Sequence, residues 1–197
     1  MIAPTPRRRF RRLRRWVLLL GLLYVAVVVV FMFLEDWFVF RGNTEAQSWH
    51  KAADPRTVEV EFRAADGTKL HARWLPPTKP DAGAFLYAHG NGGNVSHYGK
   101  RGAGFAYATG AGVLLFDYPG YGRCDGKPTE KGCYAAGDAA YAWLTGEGKV
   151  PPNRVILLGE SLGSGVAVDL ATRHDHRALV LMCTFTSLPA AAKSLFP

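Results

Sequence analysis

From Trp16 to Leu34 the chain runs for nineteen residues without a charge, WVLLLGLLYVAVVVVFMFL, and then meets Glu35 and Asp36. As a helix rising about 1.5 Å per residue this stretch spans roughly 28 Å, close to the hydrocarbon thickness of a bilayer. Seven arginines (Arg7, Arg8, Arg9, Arg11, Arg12, Arg14, Arg15) precede it, and Trp16 and Trp37 stand where interfacial aromatics belong. A secretory signal would carry a shorter apolar region, about 7–15 residues, ending in a small-x-small cleavage site. No such site follows here. The arginine run at Arg7-Arg8-Arg9-Phe10 is too dense for a twin-arginine match to mean much, and a buried core helix is seldom this long and uncharged. The pattern predicts an uncleaved transmembrane anchor over 16–34. Arginines before it and carboxylates after it place the N-terminus in the cytoplasm and the rest of the chain outside it, a single-pass protein of the cell membrane.

The same arginines account for the net charge. The chain has 24 Lys+Arg against 16 Asp+Glu, and without the seven arginines 17 basic residues face 16 acidic ones. The body is therefore nearly neutral, and no nucleic-acid partner is expected. With 48% apolar residues in 197 the chain holds one domain plus an appendage and is not disordered. Cys124, Cys133 and Cys183 have neither metal-ligand spacing nor a disulfide framework, so no metal and no cofactor are expected. Packed free thiols are the expected reading, with a Cys124–Cys133 bridge in an oxidising compartment as the alternative. The segments read as a basic cytoplasmic tail (1–15), the anchor (16–34), a connector (35–56) with turn signals at Arg41-Gly42-Asn43 and Asp54-Pro55, and a folded domain (57–197).

Within that domain Thr57–Arg63 alternates apolar and polar residues, predicting a half-buried strand with Val58, Val60 and Phe62 inward. Asp66-Gly67 and the run Leu70, Ala72, Trp74 complete a hairpin. Ala84–Ala88, Val113–Phe116, Arg154–Leu158 and Ala178–Cys183 are short apolar runs of the kind buried on both faces in parallel sheets. Helical segments are expected near 97–108, 129–144 and 162–172, the middle one presenting Cys133, Gly137, Ala140, Tyr141 and Leu144 on one face. Two antiparallel strands followed by repeated strand–helix units predict an α/β, doubly wound, mostly parallel sheet.

Chemistry concentrates where these strands end. Gly159-Glu160-Ser161-Leu162-Gly163 lies between a strand and a helix, the context a G-x-S-x-G nucleophile elbow requires. There the glycines permit close backbone approach, and Ser161 Oγ is lifted out at the carboxyl edge of the sheet. A helix N-cap serine in an ordinary turn is the alternative. After the run 84–88 comes His89-Gly90-Asn91-Gly92-Gly93-Asn94, a loop able to offer backbone N–H groups. A tetrahedral oxyanion needs two donors, for which Leu162 N–H and Asn91 N–H are the candidates, with His89, Gly90 and Gly92 supporting the loop. The loop lacks the Lys-Ser/Thr of a phosphate-binding P-loop.

With Asp117-Tyr118-Pro119-Gly120-Tyr121-Gly122-Arg123-Cys124-Asp125-Gly126 added, these ordered motifs resemble the α/β-hydrolase superfamily. The resemblance is closest to its membrane-anchored branch of depalmitoylases, lysophospholipases and serine-aminopeptidase-like enzymes. It covers about Thr57 to Pro197 and extends to Thr184-Phe185-Thr186-Ser187, near a cap-region helix. It departs at Cys124, commonly a serine, which touches a turn and not the chemistry. The resemblance implies a serine hydrolase acting on ester, thioester or small amide bonds, with a small-molecule or lipid-like ester substrate. It also implies two further strands, followed by a triad acid and histidine after Ser161. Asp117 precedes the serine and reads as turn scaffolding. Asp169, His174, Asp175 and His176 follow it, but the last three lie some 16–20 Å away, at the far end of a helix rising about 1.5 Å per residue. They read as a solvated helix-end loop. The chain is thus expected to be a truncated hydrolase, six strands present and two missing, with the sixth an exposed apolar edge and activity absent or nearly so. A non-catalytic, membrane-anchored binding or vestigial protein is the alternative. Nothing in the sequence speaks to oligomeric state.

Overall fold

The computed structural model describes residues 6–79, 81–184 and 187. The chain divides into two compact units, one ending at Val39 and the other beginning at Phe40. In the first, a single helix, α1 (Pro6–Val39), runs for 34 residues. Proline suits its first position, where the missing N–H has no intrahelical role. The helix extends beyond the expected 16–34 at both ends, because no glycine or proline breaks the flanking arginines or Glu35–Val39. Its stretch Leu13–Met32 is long and apolar enough to cross a membrane, by length and composition.

The second unit is a six-stranded sheet: β1 (Val58–Arg63), β2 (Lys69–Leu75), β3 (Ala84–Ala88), β4 (Gly112–Phe116), β5 (Val155–Glu160) and β6 (Ala178–Met182), in the order β1-β2-β4-β3-β5-β6. The first two strands form the expected hairpin, with Asp66 Oδ1 accepting Thr68 N–H at 2.9 Å and Gly67 at φ +87°. β2 pairs antiparallel with β4, and β4, β3, β5 and β6 pair in parallel. Three helices join the parallel strands: α2 (Val95–Thr109), α3 (Glu130–Thr145) and α4 (Leu162–Arg173).

Alternation along β3 shows how the core divides. Ala84, Leu86 and Ala88 join Leu114, Phe116, Leu157 and the buried faces of α3 and α4, including Ala136, Ala140, Leu144, Val166 and Leu170. Phe85 and Tyr87 pack on the other face with Val113, Leu115 and the α2 residues Ala103 and Ala106. Helices thus cover both faces, as parallel strands demand. The chain leaves β3 toward β4 on one side and returns to β5 on the other. The carboxyl ends of β3 and β5 therefore flank the switch point where open α/β sheets place their ligands.

Several expectations are corrected. Val58 is 51% exposed, so only Val60 and Phe62 are partly covered on β1. Arg154 ends a 3₁₀ turn, Pro152–Arg154, and β5 instead continues through Glu160. β6 is not buried on both faces: Leu179, Val180 and Leu181 are exposed. Cys124 and Cys133 form no disulfide; Cys133 is packed, whereas Cys183 is exposed. At the helix end after Arg173, Asp175 and Arg177 are exposed, whereas His174 is half-buried. His174 Nε2 lies 2.7 Å from Asp138 Oδ1 and its ring stacks on Tyr141 at 4.2 Å. Within Thr184–Ser187 only Thr184 and Ser187 are described, and the cap-region helix expected after it falls outside the described residues.

Candidate active site

Since β5 ends at Glu160 and α4 begins at Leu162, one residue makes the whole turn. That residue is Ser161, at φ +49°, ψ −114°. A side chain in this region is strained and persists only where its surroundings impose it. Here they do. Ser161 N–H donates to Met182 O of β6 at 2.9 Å, and Ser164 N–H donates to Ser161 O at 2.9 Å. The flanking glycines are required by space: a Cβ on Gly163 would collide with the Ala88 carbonyl, and one on Gly159 would stand 2.7 Å from Gly163 O. Ser161 occupies the N-cap position, yet its side chain makes no capping hydrogen bond, unlike an ordinary cap serine. Leu162 N–H, at the first helical position, has no intrahelical acceptor and points with the positive end of the helix dipole.

The glycine-rich loop comes up against this turn. A Cβ on Gly90 would lie 3.4 Å from Ser161 Cβ and 3.1 Å from Tyr98 Oη, so glycine lets the two backbones approach. Asn91 follows, its side-chain oxygen accepting Gly92 N–H at 3.0 Å and the Tyr121 hydroxyl at 2.9 Å. Gly92 and Gly93 both have positive φ, +84° and +75°. Asn94 then caps α2 by accepting Ser96 N–H at 3.0 Å. The structure thus brings Gly90 against Ser161 and its neighbour Leu162, with Asn91 and Gly92 following Gly90 in the same loop. His89 is buried beneath them as scaffolding: Nε2 lies 3.1 Å from Asp117 Oδ1, and Nδ1 lies 2.8 Å from Gly90 O.

Asp117 is a hub and not only a turn residue. Fully buried, its Oδ1 also accepts Val95 N–H at 2.9 Å, tying β4, the glycine-rich loop and α2. Burial alone would raise its pKa. The adjoining His71 and His89 rings and the Val95 N–H outweigh that and hold the carboxyl below its ordinary value.

None of the six histidines hydrogen-bonds Ser161. His174 is held by Asp138, His176 Nδ1 lies 3.0 Å from His174 O, His71 Nε2 lies 2.6 Å from Glu59 Oε2, and His97 Nε2 lies 3.1 Å from Ser48 Oγ against the His50 ring. Among the described residues no group of His, Cys, Asp and Glu is arranged to hold a metal ion. The sequence reading missed Glu160, whose carboxylate accepts from Tyr87 Oη and Arg101, directly before the serine. It also missed residues 41–50, which are laced into the loops described here. Neither left a periodic or motif signal, since their partners are distant in sequence.

With this geometry in place, a comparison with known proteins fixes the family. The family model described as "Alpha/beta hydrolase family" matches residues 85–197. The chain belongs to the alpha/beta hydrolase family. A Mycobacterium tuberculosis protein, Rv2307c, is 39% identical over 144 residues, covering 73% of this chain and 51% of that protein. The chain therefore spans about half the length of that relative. A solved alpha-beta hydrolase from Vibrio vulnificus aligns with TM-score 0.61 at 20% identity, over 71% of this chain and 50% of the other. An esterase of Pyrococcus furiosus aligns with TM-score 0.51 at 24% identity, over 59% and 44% respectively. At these identities the structural likenesses speak to the fold alone.

Proposed function

We infer that the protein is a membrane-anchored serine hydrolase acting on ester, thioester or small amide bonds. The observation that carries this is Ser161 alone at a positive-φ turn, with the Gly90 backbone against it and no cap bond engaging its hydroxyl. In the proposed reaction Ser161 Oγ attacks the substrate carbonyl carbon and its proton passes to a histidine base. The carbonyl oxygen becomes an oxyanion held by Leu162 N–H and Asn91 N–H. Collapse expels the leaving group, which takes the proton, and water then releases the acid from the acyl-serine.

The base and its acid partner would come from the part of the relatives' length that this chain does not span. Residues 1–197 alone would then be inactive or nearly so. The oxyanion hole and binding leave only about 10³–10⁴ over water when a triad member is missing. Anchoring through α1 is supported by the apolar stretch Leu13–Met32 and the arginines before it, with the N-terminus cytoplasmic and the folded unit on the other side. A tethered site suits lipid-derived or surface esters.

Because all six histidines are engaged away from Ser161, a non-catalytic binding or vestigial protein is the second reading. A fluorophosphonate probe separates the two. The hydrolase reading expects covalent labelling of the whole protein, with the adduct on Ser161 and none in Ser161→Ala. Equal labelling of Ser161→Ala, or none of the wild type once a downstream histidine is supplied, would sink it.

A further inference from the structure

We propose that residues 41–48 are a positioning strap for the glycine-rich loop, setting where the Asn91 amide points during catalysis; this rests on the serine-hydrolase reading. The segment lies between α1 and β1 and has the composition of a connector. A solvated connector leaves its backbone polar groups to water. This one directs them into the site. Arg41 N–H donates to Asn91 Oδ1 at 2.7 Å, and Asn43 N–H donates to Gly93 O at 2.9 Å. On its other side Asn43 O accepts Gly122 N–H at 2.9 Å, and Glu45 N–H donates to Gly122 O at 2.8 Å. The strap is thus threaded, strand-like, between the loop after β3 and the loop after β4, with parallel bridges Gly42–Gly93 and Thr44–Gly122.

Two residues show that the fit is built. Asn94 is fully buried, and its amide group is divided: Oδ1 caps α2, while Nδ2 donates to Asn43 O at 3.0 Å and Ser48 O at 2.9 Å. Gly42 leaves no room for a side chain, because a Cβ there would enter the Tyr121 ring. The Tyr121 hydroxyl in turn reaches Asn91 Oδ1. That oxygen therefore accepts three donors, two of them from outside the loop. Beyond Ser48 the segment is anchored by Trp49, whose ring lies 4.7 Å from the Arg73 guanidinium and 4.4 Å from that of Arg123.

The physical need is clear. A loop with glycines at 90, 92 and 93 has little conformational preference of its own, so its shape must be imposed. An oxyanion donor works only when its direction is fixed before the reaction. The strap supplies that constraint from a part of the chain with no role in the chemistry. Losing it should slow turnover and leave ground-state binding nearly alone.

Asn94→Asp isolates the effect, since aspartate keeps an oxygen to cap α2 but sets an acceptor against the Asn43 and Ser48 carbonyls. Tyr121→Phe is the milder variant, removing one of the three donors to Asn91 if Asn94→Asp fails to fold. Both are compared with wild type and Ser161→Ala in the whole protein, purified in detergent with α1 present. The readouts are kcat and KM for a p-nitrophenyl ester and deuterium exchange of the Gly92 and Gly93 amides. For Asn94→Asp we expect kcat to fall about 10–100-fold, the scale of a small misplacement of a catalytic group, with KM within about 2-fold. Loop exchange should quicken in parallel, and Tyr121→Phe should shift both readouts in the same direction by less. A folded variant with unchanged kcat, or a loss seen only in KM, overturns the strap. If Ser161→Ala turns over like wild type, the hydrolase reading has failed by itself. Exchange then decides the strap: unchanged Gly92 and Gly93 protection in the variants overturns it, and faster exchange upholds the positioning.

Discussion

β3 and β6 are both five-residue apolar strands, and both pair in parallel with β5, one on each side. Every residue of β3 is buried, whereas Leu179, Val180 and Leu181 of β6 are 37–38% exposed. The difference lies in what surrounds them. β3 has β4 and β5 as neighbours and residues of α2, α3 and α4 over its faces, while among the described residues β6 pairs only with β5. Apolar composition states a demand for cover, and the neighbours decide whether it is met. The contrast continues into the candidate site. The glycine-rich loop is held by the densely bonded β3–β4 half through Asp117, Tyr121 and the strap. The serine turn takes its outer support, the Met182 carbonyl, from the open strand.

The largest way to break this comparison is Asp117→Ala, which removes the hub of the covered half. His89 Nε2 and Val95 N–H would be left buried without their acceptor. Breaking a buried pair in this way costs about 3–5 kcal/mol, to be read from urea unfolding followed by tryptophan fluorescence. A loss below about 1 kcal/mol would show that the covered half is not the rigid one. The same carboxyl predicts acid behaviour. Its pKa is lowered in the folded protein, so its contribution is fully present above the unfolded value of about 3.9 and is lost as pH falls through the folded value. Stability of the wild type should therefore decline more steeply below about pH 4 than that of Asp117→Asn.

A second test applies one substitution to both strands. Leu86 of β3 is 1% exposed and Leu181 of β6 is 37% exposed. Leu86→Ala leaves a cavity in the α3/α4 side of the core and should cost about 2–5 kcal/mol. Leu181→Ala removes side-chain atoms that are already partly in water and should cost below about 1 kcal/mol in the same unfolding assay. Equal losses would mean that β6 is covered in solution.

How far the sequence could be read follows the same division. Periodic signals are local, and they located all six strands, the three sheet-flanking helices and the strand–turn–helix around Ser161. Gly159, Gly163 and Gly90 stand where close approach requires them, so the motif and the geometry coincide. What escaped was long-range and irregular. Asp117 joins residues 22 and 28 positions away, and Arg41 joins Asn91 across 50 positions. Backbone groups bonding along a non-periodic segment leave no trace in residue type, so residues 41–50 read as a connector. The exposure of β6 was invisible to composition, since Ala178–Met182 is as apolar as Ala84–Ala88.

The smallest effect probes the open half where it meets the serine turn. Cys183 directly follows Met182, whose carbonyl accepts Ser161 N–H, and it sits at φ +52°. A side chain in the left-handed region costs about 1–2 kcal/mol, which glycine does not incur. Cys183→Gly relieves that strain but returns about 0.4–1 kcal/mol through the greater freedom of the unfolded chain. The net expectation is a gain of about 0.8 kcal/mol in urea unfolding, the difference between the midpoints of those two ranges. A destabilisation would mean that the Cys183 side chain makes a contact worth more than its strain. The end of β6 would then be braced by its own residues, and the asymmetry between the two supports of the site would be smaller than the exposures of β3 and β6 imply.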